Sequence, residues 1–351
     1  SDLTALQKQF ISGLTLGKSG NLTNMTLNSL VNIAGPITVY APQITVNQAL
    51  TSTANLTLNG QSVLNGAAIQ TAGAQTYNGS VTLGADTVLT STSSGAITFG
   101  NTLNGAYTLA VNTAGATTFT GSVGGTQALM SLSTDGAGTV AINGGVVNTI
   151  GAQSYGEVAT LGAATVLSSS DSGAITFGNT LNGAHTLAVN TAGVTTFTGA
   201  VGNTHALTSL STDLEGSVAI NGGTVNTTGA QSFGDAATLG ADTTLSSTAS
   251  GAISFGGTLD GAKNLVINTS GVTTFGGAVG GITALSSLIT DAAGSVMISG
   301  GSIRTTGAQT YNERVNLGAA TTLRGVNVAL MSTVDGAQAL TISDSGTSLI
   351  N

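Results

Sequence analysis

The twelve residues GAITFGNTLNGA span Gly95–Ala106 and return unchanged at Gly173–Ala184, and a near copy, GAISFGGTLDGA, fills Gly251–Ala262. Successive copies are evenly spaced, with a period of 78 in the numbering. A fixed period of this kind is the mark of a repeat architecture. A second marker, GAQ followed by Thr or Ser and then Tyr or Phe, keeps the same period at Gly73, Gly151, Gly229 and Gly307. The chain therefore divides into N-terminal coils 1–72, three full blocks at 73–150, 151–228 and 229–306, and a partial fourth block at 307–351. In that last block GAATTL at Gly318–Leu323 holds the register. TVDGAQALTISDSG at Thr333–Gly346 matches Thr258–Gly271 but arrives slightly early.

Each block has a finer grain. In the first, SVTL starts at Ser80, AITF at Ala96, ATTF at Ala116 and TVAI at Thr139, with VATL following at Val158. These five starts mark four uneven steps, and they predict four turns per block. Val81 and Leu83, Ile97 and Phe99, and Val140 and Ile142 alternate with Ala, Thr or Ser, the period-two pattern of a half-buried strand. Helix is excluded because Gly recurs every few residues and no apolar pattern persists at helical spacing.

A turn of about 20 residues carrying two or three short strands predicts an all-β chain: a right-handed parallel β-helix, or solenoid, of about 18 coils. Strands of adjacent turns then lie about 4.8 Å apart, so equivalent side chains form ladders. The expected core ladder comprises Val81, Leu83, Ile97, Phe99, Leu109, Val111, Phe119, Val140, Ile142, Phe177, Phe197, Phe255 and Phe275. Phe99 and Phe119, and their counterparts in the later blocks, lie one expected turn apart and should stack. A membrane barrel needs longer strands and aromatic girdles, and a sandwich array would not repeat at so short an interval.

Composition narrows the function. Of 351 residues 40% are hydrophobic and 6% are charged, which is too apolar for disorder. The net charge is −8, and the six basic residues Lys8, Lys18, Lys263, Arg304, Arg314 and Arg324 are few and scattered. That argues against nucleic acid and anionic membrane as partners. With no Cys, disulfides and thiolate chemistry are excluded. The first twenty residues lack a signal-peptide pattern, and no stretch reads as a membrane span.

No catalytic constellation emerges. His185 and His205, the only histidines, stand where other blocks carry Tyr107 and Lys263, and Gln127 and Thr283. That reads as two tolerated surface sites. Asp135, Asp213 and Asp291 recur once per block, too far apart to act on one bond, and read as turn residues that bond their own backbone. Glu157, Glu215 and Glu313 form no evident cluster, and Asp171 and Asp260 lack a matching acid in the first block. The calcium-binding nonapeptide pattern is absent, and GxG-type phosphate loops lack their helix. Thr runs such as Thr117–Thr120 suggest ice binding, but uneven turn lengths spoil the lateral array. No cofactor or metal is expected, and the chain is not expected to be an enzyme. Tyr77, Tyr155, Phe233 and Tyr311 form a fourth recurring set. Burial is the stronger reading of that set, and a row of exposed rings contacting glycan is the speculative one.

GPITVYAPQITVNQALTSTANLTLNG at Gly35–Gly60, followed by blocks such as GAQTYNGSVTLGADTVLTS, resembles the internal repeats of large two-partner-secretion exoproteins of the filamentous-haemagglutinin type. The resemblance extends over nearly the whole chain. It implies an internal shaft region, export through a dedicated outer-membrane transporter, and a place outside a Gram-negative cell, secreted or on its surface. The role implied is attachment, cell aggregation or biofilm matrix assembly. A carbohydrate-binding β-helix contacting exopolysaccharide or host glycan is the alternative, and a polysaccharide-degrading enzyme is a third reading.

Overall fold

A computed structural model describes residues 11–351. Lys8 and the rest of the start of the 1–72 segment, up to position 10, lie outside the described residues. Every element among the described residues is a β-strand, and every pairing is parallel. The chain is a β-solenoid of about 17 turns of about 20 residues. It forms two units, Ser1–Ala174 and Ile175–Asn351.

The strands follow the alternation in the sequence. Thr108–Thr113 buries Leu109, Val111 and Thr113 and turns the residues between them outward. All thirteen residues of the expected core ladder are buried. Corners are built for close approach: Gly105 has φ of 129°, and a Cβ there would lie 2.4 Å from the Leu83 carbonyl oxygen, so only glycine fits.

In the first unit three sheets wind in parallel. One runs through Gln75–Tyr77, Ile97–Phe99, Ala116–Phe119, Thr139–Ile142 and Val158–Leu161. A second runs through Thr87–Ser91, Thr108–Thr113, Ser131–Thr134 and Gln153–Tyr155. The third links Val81–Leu83, Leu103–Asn104, Val123, Val146–Thr149 and Thr165–Ser169.

This arrangement corrects the expected four turns per block. Gln75 pairs with Ile97, Ile97 with Thr117, Thr117 with Val140 and Val140 with Ala159. Four turns from Gln75 therefore end at Ala159, beyond Gln153, which is the next copy of Gln75 in the sequence. One block occupies eleven strand positions, from Gln75–Tyr77 through Val146–Thr149, and each turn uses three. The second GAQ motif thus joins the second sheet, above Ser131–Thr134, and not the first. The second unit repeats the shift. Gln231–Phe233 heads a ladder with Ile253–Phe255 and Val272–Phe275, whereas Gln309–Tyr311 sits on Ser287–Thr290, in a different sheet. The short first step, from Ser80 to Ala96, is not a turn, because Val81 and Ile97 belong to different sheets.

The fourth aromatic set is inside. Tyr77, Tyr155, Phe233 and Tyr311 are each 0% exposed, which overturns the speculative glycan contact. The rings complete the ladders: Tyr77, Phe99 and Phe119 stack with centroids 5.2 and 5.3 Å apart, and Phe233, Phe255 and Phe275 at 5.2 and 6.0 Å. Phe177 and Phe197 stack likewise. A ring supplies more buried area than any aliphatic side chain in such a narrow interior.

A buried glutamine makes the tyrosine tolerable there. Tyr77 Oη donates to Gln75 Oε1 at 2.8 Å, while Gln75 Nε2 donates to the carbonyls of Ile69 and Thr90 and to Thr71 Oγ1. The same bridge recurs at Gln153 with Tyr155 and at Gln309 with Tyr311. Where Phe233 replaces tyrosine, Gln231 Oε1 has no partner. Phe233→Tyr should therefore raise stability by about 1 kcal/mol, the usual net worth of a buried hydrogen bond. Denaturant titration reads the change, and an unchanged or lowered midpoint would show that the orphaned oxygen costs nothing.

Candidate functional site

Two features concentrate the polar chemistry of each block: an acid pair with one buried and one half-buried member, and a pinned surface loop. The pair begins at the end of a strand. Ser131–Thr134 hands over to Asp135, whose amide donates to the Val111 carbonyl at 3.1 Å and which opens a bend at 136–138. One turn on, Thr134 lies opposite Tyr155, and Glu157 follows shortly after. Thr134 Oγ1 donates to Glu157 Oε2, and Glu157 Oε1 has no partner. Asp213 and Asp291 likewise open bends, and Asp235 and Glu313 take the place of Glu157 beside them.

Burial decides the electrostatics. Glu157, Asp235 and Glu313 are 1%, 1% and 2% exposed. A charge there lacks water, so the neutral form is favoured. Burial pushes the Glu157 carboxyl up, and the Asp135 charge adds to it. Asp235 is pushed up to about 6, first by burial and then by Asp213. Glu313 is pushed up to about 8, first by burial and then by Asp291. Burial also raises Asp135, Asp213 and Asp291, against backbone hydrogen bonds that lower them. Each arrangement favours the neutral form of the buried carboxyl and sets a second acid near it. The partner acids sit on successive turns, so each recurring Asp has an acid neighbour that its spacing from the other Asp residues did not reveal.

The surface loop interrupts a strand position between Val123 and Leu129, each held by isolated bridges. Asn104 Oδ1 accepts from the amides of Thr126 and Gln127 at 3.0 and 3.2 Å. Asn182 does the same for Thr204 and His205, and Asp260 for Ile282 and Thr283. Asp260 is thus the acidic version of a structural asparagine. His185 and His205 adjoin at this loop: the Gly183 amide donates to the His205 carbonyl at 3.2 Å, and the Thr208 amide to the His185 carbonyl at 2.9 Å. Tyr107 and Gln127, and Lys263 and Thr283, flank the loop in the same way. These positions, which change identity from block to block, therefore meet at one place.

Among the described residues no three His, Cys, Asp or Glu side chains converge as a metal site would require, and no helix is long and apolar enough to cross a membrane. Comparison with protein-family models, with curated proteins and with solved structures finds no match.

Proposed function

We propose that this chain is a structural shaft, part of an exported bacterial adhesin of the filamentous-haemagglutinin type that serves attachment, cell aggregation or biofilm matrix assembly. One observation carries the reading. The near-identical blocks each close their hydrogen bonds on the turns immediately before and after, so block number sets length without a new fold. Local contacts of this kind suit a chain that folds progressively as it leaves a transporter. The proposed place is outside a Gram-negative cell, and the proposed partner during export is an outer-membrane transporter. Catalysis forms no part of the role, and the acidic chain is proposed to avoid nucleic acid and membrane insertion.

Deleting the segment 73–150 tests the reading, because Gln153 and its strand can take the place of Gln75. The shortened chain should keep an all-β circular dichroism spectrum. Cells displaying chains of successively fewer blocks should lose adhesion in steps. Adhesion that stays constant across the series would overturn the shaft role.

A further inference from the structure

Two of the six basic residues, which are scattered in the sequence, are neighbours in the fold. Arg304 and Arg324 lie on successive turns, directly opposite each other in the pairing of Ser302–Arg304 with Thr321–Gly325. Both are exposed. Ser343 continues their ladder on the next strand. Like charges set opposite one another across a sheet are destabilising, and neither guanidinium has an acidic partner: the one ion pair among the described residues joins Arg314 to Asp335. Asp344 lines a shallow surface groove together with Arg304, Arg324 and Ser343, but both its oxygens are occupied, by the amides of Asn327, Val328 and Gly346 and by the Ser348 hydroxyl.

The earlier blocks show what the position holds by default. The equivalent pairs are Asn148 opposite Ser168 and Asn226 opposite Ser246, both neutral. Two in-register exchanges to arginine are needed to make the last pair, and each worsens the fold's own electrostatics once the other is present. A second ladder runs beside the first on the same outward face: Ser302, Thr322 and Thr341, all hydroxyl residues. Forked guanidiniums match planar and tetrahedral oxyanions with paired hydrogen bonds, and a row of hydroxyls suits the hydroxyls of a sugar.

We infer that Arg304 and Arg324, with the Ser302, Thr322 and Thr341 row beside them, form a binding site for the carboxylate or sulfate of an acidic polysaccharide. A nucleic acid is the poorer fit, since two cations on a chain of net charge −8 cannot neutralise a run of phosphates. The inference does not depend on the shaft reading, because it concerns what one face of the solenoid grips and not how length is used.

Calorimetric titration of the full chain with a sulfated hexasaccharide, an oligogalacturonate, a neutral dextran oligosaccharide, inorganic sulfate and single-stranded DNA tests it. The sulfated or the uronate saccharide should bind, more tightly than inorganic sulfate, with affinity falling as salt rises; which of the two binds identifies the oxyanion. Arg304→Asn or Arg324→Ser should weaken binding about tenfold or more, the worth of a charge-assisted hydrogen bond, and the double variant should abolish it. The double variant restores the pair found in the earlier blocks, so its thermal midpoint should equal or exceed that of the parent. No saccharide binding, binding that survives the double substitution, inorganic sulfate binding as tightly as the saccharide, or equal affinity for DNA would each overturn the proposal.

Discussion

Glu313→Gln should leave the chain about as stable as the parent near pH 5 and make it clearly more stable near pH 9. Burial first, and Asp291 second, push the Glu313 carboxyl up to about 8, from 4.5 in the open chain. The folded state thus holds this proton more tightly than the unfolded state. Its stabilising contribution is complete below about 4.5 and is lost as pH rises through about 8. The protonated acid carries no charge into a site that is 2% exposed. Glutamine has nearly the same shape and cannot ionise. The alkaline gain should be on the order of a few kcal/mol, and denaturant midpoints measured across that range give it directly. Parent and variant falling together as pH rises would show that the Glu313 proton is not what the fold loses. Asp235 predicts a weaker fall at lower pH, through about 6.

Phe255→Ala should cost about 3–5 kcal/mol, the usual range for a fully buried ring. Phe255 is the middle of a three-ring stack, 5.2 Å from Phe233 and 6.0 Å from Phe275. The paired backbones on all sides fix the spacing of the turns, so the neighbours cannot collapse into the space. Solenoid turns rely on the turns next to them, so the damage should be local at first. Hydrogen exchange should quicken across Gln231–Phe233 and Val272–Phe275 before it does at Tyr311. Exchange that rises evenly through Ile175–Asn351 would mean that the unit opens as one body.

Alternation and period made the solenoid legible. Val81, Phe99 and Val140 each sit in a short apolar–polar alternation that only one buried face explains, and all three are buried. The phase of the repeat was not legible, because all three sheets are lined from inside by the same residue types. SVTL at Ser80 and AITF at Ala96 look equivalent and belong to different sheets. The same gap hid the functional groupings. Asp135 has its sequence copy at Asp213, whereas its neighbour in the fold is Glu157, one turn away. Arg304 and Arg324 looked scattered until strand pairing set one directly over the other. Gln75 and its copies gave no signal beyond recurrence, since a buried amide is justified only by carbonyls that the corner leaves facing inward.

Eleven and three share no common factor, and this has a consequence for how such a chain can evolve. Near-identical neighbouring blocks invite loss or gain of whole copies by unequal recombination. Each event adds or removes eleven strand positions and so hands every later strand to a different one of the three sheets, the arginine ladder included. Only a change of three copies returns each strand to its original sheet. Lineages that differ by one copy would therefore differ in which sheet carries a given residue as well as in the number of turns, with no residue substituted.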